Sequence, residues 1–129
     1  MTKKKVFISF DFDHDEELRN LLVGQAKNPD SPFEIADYSL KEPFAGDWKE
    51  KVRNRIKKTE LVIVICGLHT DTASGVSEEL TIAKQEYVPY FLLWGRSEGV
   101  VKKPSAALPA DKIYSWTWDS LKLLIQGSR

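Results

Sequence analysis

The chain carries one cysteine and one methionine among 129 residues. A lone Cys66 closes no internal disulfide and supplies no cysteine cluster for a metal. It fits a reducing compartment, so a cytoplasmic location is expected. Charge of one sign is missing too: Lys+Arg and Asp+Glu both count 19. With no basic excess for phosphate contacts, nucleic acid is not an expected partner. No apolar run approaches the roughly 18 residues of a membrane span, so no membrane partner is expected either. The basic start Lys3-Lys4-Lys5 leads only into Val6-Phe7-Ile8-Ser9-Phe10 and then acids, too short for a secretory segment. Repeats, low-complexity tracts and linkers are also lacking. Residues 1–129 therefore read as one domain, long enough to bury a core.

What is present is an alternation of apolar runs and helical patterns. Val6–Phe10 reads as a buried first strand, β-branched and aromatic. Asp13 and Glu16 have the spacing of a capping box. Leu18, Leu21, Leu22 and Ala26 then recur at helical spacing, which predicts a helix from about Asp15 to Lys27. The turn cluster Asn28–Pro32 separates it from a short strand, Phe33–Ala36. Trp48, Val52 and Ile56 mark a second helix whose outer face is basic (Lys49, Lys51, Arg53, Arg55, Lys57, Lys58) and is expected to be solvated. Leu61–Cys66 is six apolar residues in a row, as in a strand buried on both faces of a parallel sheet. Val76, Leu80, Ala83 and Tyr87 mark a third helix, and Tyr87–Trp94 holds a fourth strand. Lys112–Tyr114 reads as a short fifth strand, and Trp118, Leu121, Leu124 and Ile125 as a closing helix. Trp48, Trp94, Trp116 and Trp118 are expected to be packing residues, and Cys66 inert core.

Strands alternating with helices predict an α/β three-layer sandwich, a parallel sheet with helices on both faces. The flavodoxin-like order 2-1-3-4-5 is the commonest for five strands. Its switch point lies between strands one and three, where ligands of open α/β sheets bind beyond the carboxyl ends. Two loops matter most: Asp11–Asp15 and Gly67–Ser74. The first has no glycine and much negative charge, which excludes a phosphate cradle built on backbone N–H groups. Asp15, Glu16 and Glu17 suit the amino terminus of a helix, whereas Asp11 and Asp13 lie nearest the crevice. His14 and His69 lie in the two crevice loops, but two lone histidines without a third ligand read as surface residues, and no metal is expected.

The third helix holds a sharper signal. With the Val76–Leu80–Ala83 stripe facing the core, Glu79 falls roughly 70° from its centre and Glu78 nearly opposite. Glu79 is thus expected at the rim of the core beside the crevice, partly desolvated and suited to catalysis, and Glu78 in solvent.

Lys5-Val6-Phe7-Ile8-Ser9-Phe10 followed by Asp11 resembles the opening strand of Toll/interleukin-1 receptor (TIR) domains. Gly75-Val76-Ser77-Glu78-Glu79-Leu80-Thr81-Ile82-Ala83 resembles their third-helix motif and aligns the family's catalytic Glu with Glu79. The stretch from Ser9 through Asp15 to Asp37-Tyr38-Ser39 is similar to the prokaryotic TIR-like branch, which includes the TIR-like subunit of the Thoeris anti-phage system. The resemblance covers roughly residues 4 to 95. Gly75 stands where TIR domains often carry Trp, and the Arg-Asp and Pro-Gly pattern of their loop after strand two is missing from Tyr38–Asp47. Both departures argue against receptor–adaptor signalling.

The resemblance implies an enzyme that takes NAD as substrate, with no separate cofactor, and cleaves the nicotinamide–ribose bond. In the Thoeris case it implies cyclisation to a signalling isomer of cyclic ADP-ribose that activates a partner effector. Glu79 would stabilise the oxocarbenium-like transition state. Phe10 or Phe12 would stack on a flat ring, although each reads first as a core residue, and Asp11 and Tyr38 would hold polar groups of ribose or nicotinamide. The Tyr38–Asp47 loop would act as lid and as a surface for self-association with a neighbouring protomer. Two rival readings remain at this point. One is a non-catalytic interaction module of the same fold. The other is a phosphoacceptor receiver, for which Asp11 and Asp13 mimic the acidic pair, but Ile65-Cys66-Gly67 lacks the required Asp at the end of strand three.

Overall fold

The continuous apolar run at the centre of the chain, Leu61–Cys66, forms a strand with every residue buried. A computed structural model describes residues 3–35, 48–96 and 99–127. Among these, β1 (Lys4–Ser9), β2 (Phe33–Ile35), β3 (Leu61–Cys66), β4 (Tyr90–Trp94) and β5 (Ile113–Tyr114) form one sheet in the order β2-β1-β3-β4-β5. Every pairing is parallel, and β1 meets β3 from Val6↔Leu61 to Ser9↔Val64. This is the flavodoxin-like α/β arrangement expected of the alternating pattern.

The strands' period of two divides the core into halves. Val6, Ile8, Ile63, Ile65 and Leu93 point to one face, covered by α1 (Glu16–Ala26) and α4 (Trp118–Gln126) through Leu18, Leu22, Leu121 and Leu124. Phe7, Val62, Val64, Cys66 and Leu92 point to the other face. There α2 (Trp48–Lys57) and α3 (Ser74–Gln85) add Trp48, Val52, Ile56, Val76, Leu80 and Ala83. Burial pushes the Cys66 thiol up to about 12, as suits an inert core residue.

Local details differ from expectation. The helix-one capping box is not made: Asp15 is the N-cap and its side chain makes no capping bond. Asp13 is engaged earlier, its N–H donating to Asp11 Oδ1 at 3.0 Å, so the loop closes on itself before the helix begins. The third helix stops at Gln85. Tyr87 is left-handed (φ 57°) and 94% exposed, a turn residue rather than part of the apolar stripe. The basic face of α2 is not wholly solvated. Arg53 reaches α3 and its carboxyl-terminal turn, donating to Gln85 Oε1 at 2.6 Å and pairing with Glu86. Trp94 is 39% exposed rather than packed.

Candidate active site

Beyond β1 the chain leaves toward β2, and beyond β3 it leaves toward β4, so the crevice between them stays open to ligand chemistry. Ser9 is the last residue of β1 and points to the α3 face. Glu79 sits in the second turn of α3. Ser9 Oγ donates to Glu79 Oε1 at 2.6 Å, joining strand and helix at the mouth of the crevice.

Glu79 is only 6% exposed, deeper than the core-rim position expected of it. The helical wheel of α3 counts only its own turns, whereas β1 brings its carboxyl end over that carboxylate. Burial pushes the Glu79 carboxyl up to about 8, partly offset by the Ser9 hydrogen bond. At neutral pH the resting group is therefore largely protonated. Glu78, its neighbour, is half exposed and pairs with Lys49 of α2 at 3.4 Å.

The loop after β1 is built around Asp11, which is 8% exposed. Its Oδ1 accepts from the Asp13 N–H, and its Oδ2 lies 2.6 Å from His14 Nδ1. Both oxygens are thus engaged inside the loop rather than presented to a ribose. The His14 ring stacks on His69 with centroids 4.0 Å apart and planes at 28°. His69 belongs to the loop after β3, so this contact spans the switch point. Sequence reasoning placed both histidines in the crevice loops and missed that they meet. The contact joins two loops that only the sheet order brings together.

Asp15 closes the same loop against Gly67. A Cβ on Gly67 would lie 2.2 Å from Asp15 Oδ2, so only glycine admits the carboxylate there. Asp15 Oδ1 accepts from Arg96 Nη2 at 3.1 Å, while Oδ2 is buried without a partner among the described residues. Burial pushes the Asp15 carboxyl up, and Arg96 works against that shift. Arg96 also donates to the His14 carbonyl at 2.6 Å and pairs with Glu17. The segment after β4 thereby clamps the loop after β1.

The remaining expected residues fall elsewhere. Phe10 is 4% exposed within the core under α1 and α4, on the opposite sheet face from Glu79. Phe12 is partly buried against it, ring centroids 4.5 Å apart. The structure does not bring either ring to Glu79: Ser9 faces α3, Phe10 just beyond β1 faces α1 and α4, and Phe12 packs on Phe10. Tyr38 and the Tyr38–Asp47 loop lie outside the described residues. An open cleft of about 670 Å³ lies at the α1, β4 and β5 side, lined by Leu18, Leu21, Gln25, Trp94 and Trp116 among others. Glu79 is not in its wall. Among the described residues no group of three or more His, Cys, Asp or Glu could hold a metal ion, and no helix is long and apolar enough to cross a membrane.

Residues 7–97 match the family described as "Thoeris protein ThsB, TIR-like domain". No curated protein matches the chain closely enough to add a relative. The matched stretch covers more than half of the 129 residues and contains Ser9, Asp11, His14, His69 and Glu79. With that match and the parallel 2-1-3-4-5 sheet, the chain belongs to the ThsB-type TIR-like domain family and is a Thoeris defence-related TIR-like protein.

Proposed function

We propose that the chain cleaves the bond between nicotinamide and ribose in NAD and cyclises the remainder to a cyclic ADP-ribose-type signal that activates a partner effector. One observation carries the reading: a buried carboxylate, Glu79, stands at the switch-point crevice, held by Ser9 from the neighbouring strand. The leaving group of NAD is a cationic pyridinium, and positive charge moves onto the ribose as the bond breaks. A carboxylate in a water-poor site stabilises that charge more than one in water. The resting Glu79 is held neutral by burial. A pyridinium placed beside it supplies the countercharge that favours ionisation, so substrate itself would draw the group into its working form.

Water must be kept from the intermediate if cyclisation is to win. The Tyr38–Asp47 loop, in this reading, is the lid, and a neighbouring protomer completes the site. NAD is the substrate, no separate cofactor is needed, and the protein works in the cytoplasm. The experiment is incubation of the purified protein with NAD, alone and in lysate from phage-infected cells, with nicotinamide release and product mass as readouts. Release above the protein-free rate in either condition supports the reading. No release in both removes it.

The depth of Glu79 favours a second reading. A carboxyl that is 6% exposed and neutral at rest also suits a non-catalytic interaction module in which Ser9 and Glu79 merely pack β1 on α3. Binding of NAD without turnover, or no binding at all, would select this alternative.

A further inference from the structure

The histidine stack at the crevice has no role in the chemistry assigned to Glu79. His14 is held in one orientation by three contacts from different parts of the chain. Asp11 Oδ2 takes its Nδ1 at 2.6 Å, His69 covers one face of its ring, and Arg96 holds its carbonyl at 2.6 Å. A neutral imidazole that donates Nδ1–H to this carboxylate carries its lone pair on Nε2. The side chain is 48% exposed. These contacts orient the ring as a general base is oriented by a third group.

We infer that Asp11 and His14 form a general-base dyad, His14 being the catalytic base that takes the proton from the hydroxyl attacking the ribose carbon, with Asp11 and His69 as positioning residues. The inference rests on the NAD reading above. In the step it assigns, the glycosidic C–N bond breaks and its electron pair leaves with nicotinamide. A lone pair of the attacking oxygen, from water or from a ribose hydroxyl of the same molecule, forms the new C–O bond. The hydroxyl proton passes to His14 Nε2, and the resulting imidazolium is stabilised by Asp11 until the proton is lost to solvent. The ionisable groups around this ring are Asp11 and His69 in contact, with Asp15 and Arg96 behind the loop. Glu79 serves bond breaking and His14 serves oxygen transfer, so the two steps can be separated.

A nucleophile that carries no proton separates them. The pyridine nitrogen of 3-acetylpyridine attacks without deprotonation, so exchange of nicotinamide for it needs Glu79 and no base. In His14→Asn, transfer to oxygen should fall on the order of 100-fold, while exchange with 3-acetylpyridine continues near the wild-type rate. Continued exchange also reports that the variant is folded. Asp11→Asn should act in the same direction, because an amide donor facing Nδ1 selects the opposite tautomer. An unchanged ratio of oxygen transfer to exchange in His14→Asn overturns the dyad and leaves the NAD reading standing. Equal loss of both reactions in a His14→Asn protein of wild-type melting temperature overturns it as well, because His14 would then belong to bond breaking. A wild-type protein that releases no nicotinamide overturns both proposals together.

Discussion

Ser9 and Glu79, 70 residues apart in the chain, are joined by a hydrogen bond of 2.6 Å that fastens the end of β1 to the second turn of α3. It is the one hydrogen bond that holds the buried carboxyl in the described residues, and it sets what pH and substitution should do to this protein.

Stability should fall as pH rises, and Glu79 should be a main cause. Its carboxyl titrates near 4.5 when unfolded and at about 8 when folded. Between those values the folded state binds the extra proton, so stability is greatest below the lower value and declines until pH passes the upper one. Glu79→Gln removes that slope. Denaturant unfolding across this window should show the variant gaining on the wild type by at most about 1.4 kcal/mol for each step of one in pH. Parallel curves for the two proteins would mean that Glu79 is not buried as described.

Ser9→Ala should destabilise the protein by about 1–3 kcal/mol, since it takes the hydrogen-bond donor from a buried carboxyl. It should also push the Glu79 carboxyl further up, because the hydroxyl is what opposes the burial effect. Chemical denaturation at low and high pH checks both: the loss should be larger at high pH, where the carboxylate form is left without its donor.

Gly67→Ala should cost several kcal/mol alone and much less beside Asp15→Ala. The added methyl meets Asp15 Oδ2 at 2.2 Å, and Arg96 holds the carboxylate in place through its other oxygen, Oδ1. A double-mutant cycle by denaturant unfolding should give a coupling of at least about 1 kcal/mol. Additive losses would show that the loops after β1 and β3 are not in contact there.

Much of this arrangement was legible in the chain itself. Leu61–Cys66 has no polar residue to leave a face uncovered, so its place in the centre of a parallel sheet followed from the run alone. The helical stripes of α2 and α3 placed Trp48, Val52, Ile56, Val76 and Leu80 inward, as found. Glu79 came out shallower in the wheel than in the fold, because a wheel knows nothing of Ser9 above it. Asp13 lost its expected cap because Asp11, two residues earlier, engages its N–H first. Tyr87 continued a helical spacing that the backbone abandons at Gln85, where a left-handed turn serves the entry into β4. The stack of His14 on His69 joins loops 55 positions apart, since 69 − 14 = 55, and no local pattern encodes it.

Nicotinamide release from NAD, measured side by side for the wild type, Glu79→Gln and Glu78→Gln, decides whether Glu79 does the chemistry. Gln keeps the shape and accepts from Ser9 but carries no charge. If Glu79 stabilises the cationic transition state, kcat should drop on the order of 100-fold or more, with roughly 3–4 kcal/mol of transition-state stabilisation lost. Glu78→Gln removes only a half-exposed pair with Lys49, worth at most about 1 kcal/mol, and should leave kcat near the wild-type value. An active Glu79→Gln protein, or equal losses from the two substitutions, would contradict the account and return this chain to the interaction-module reading.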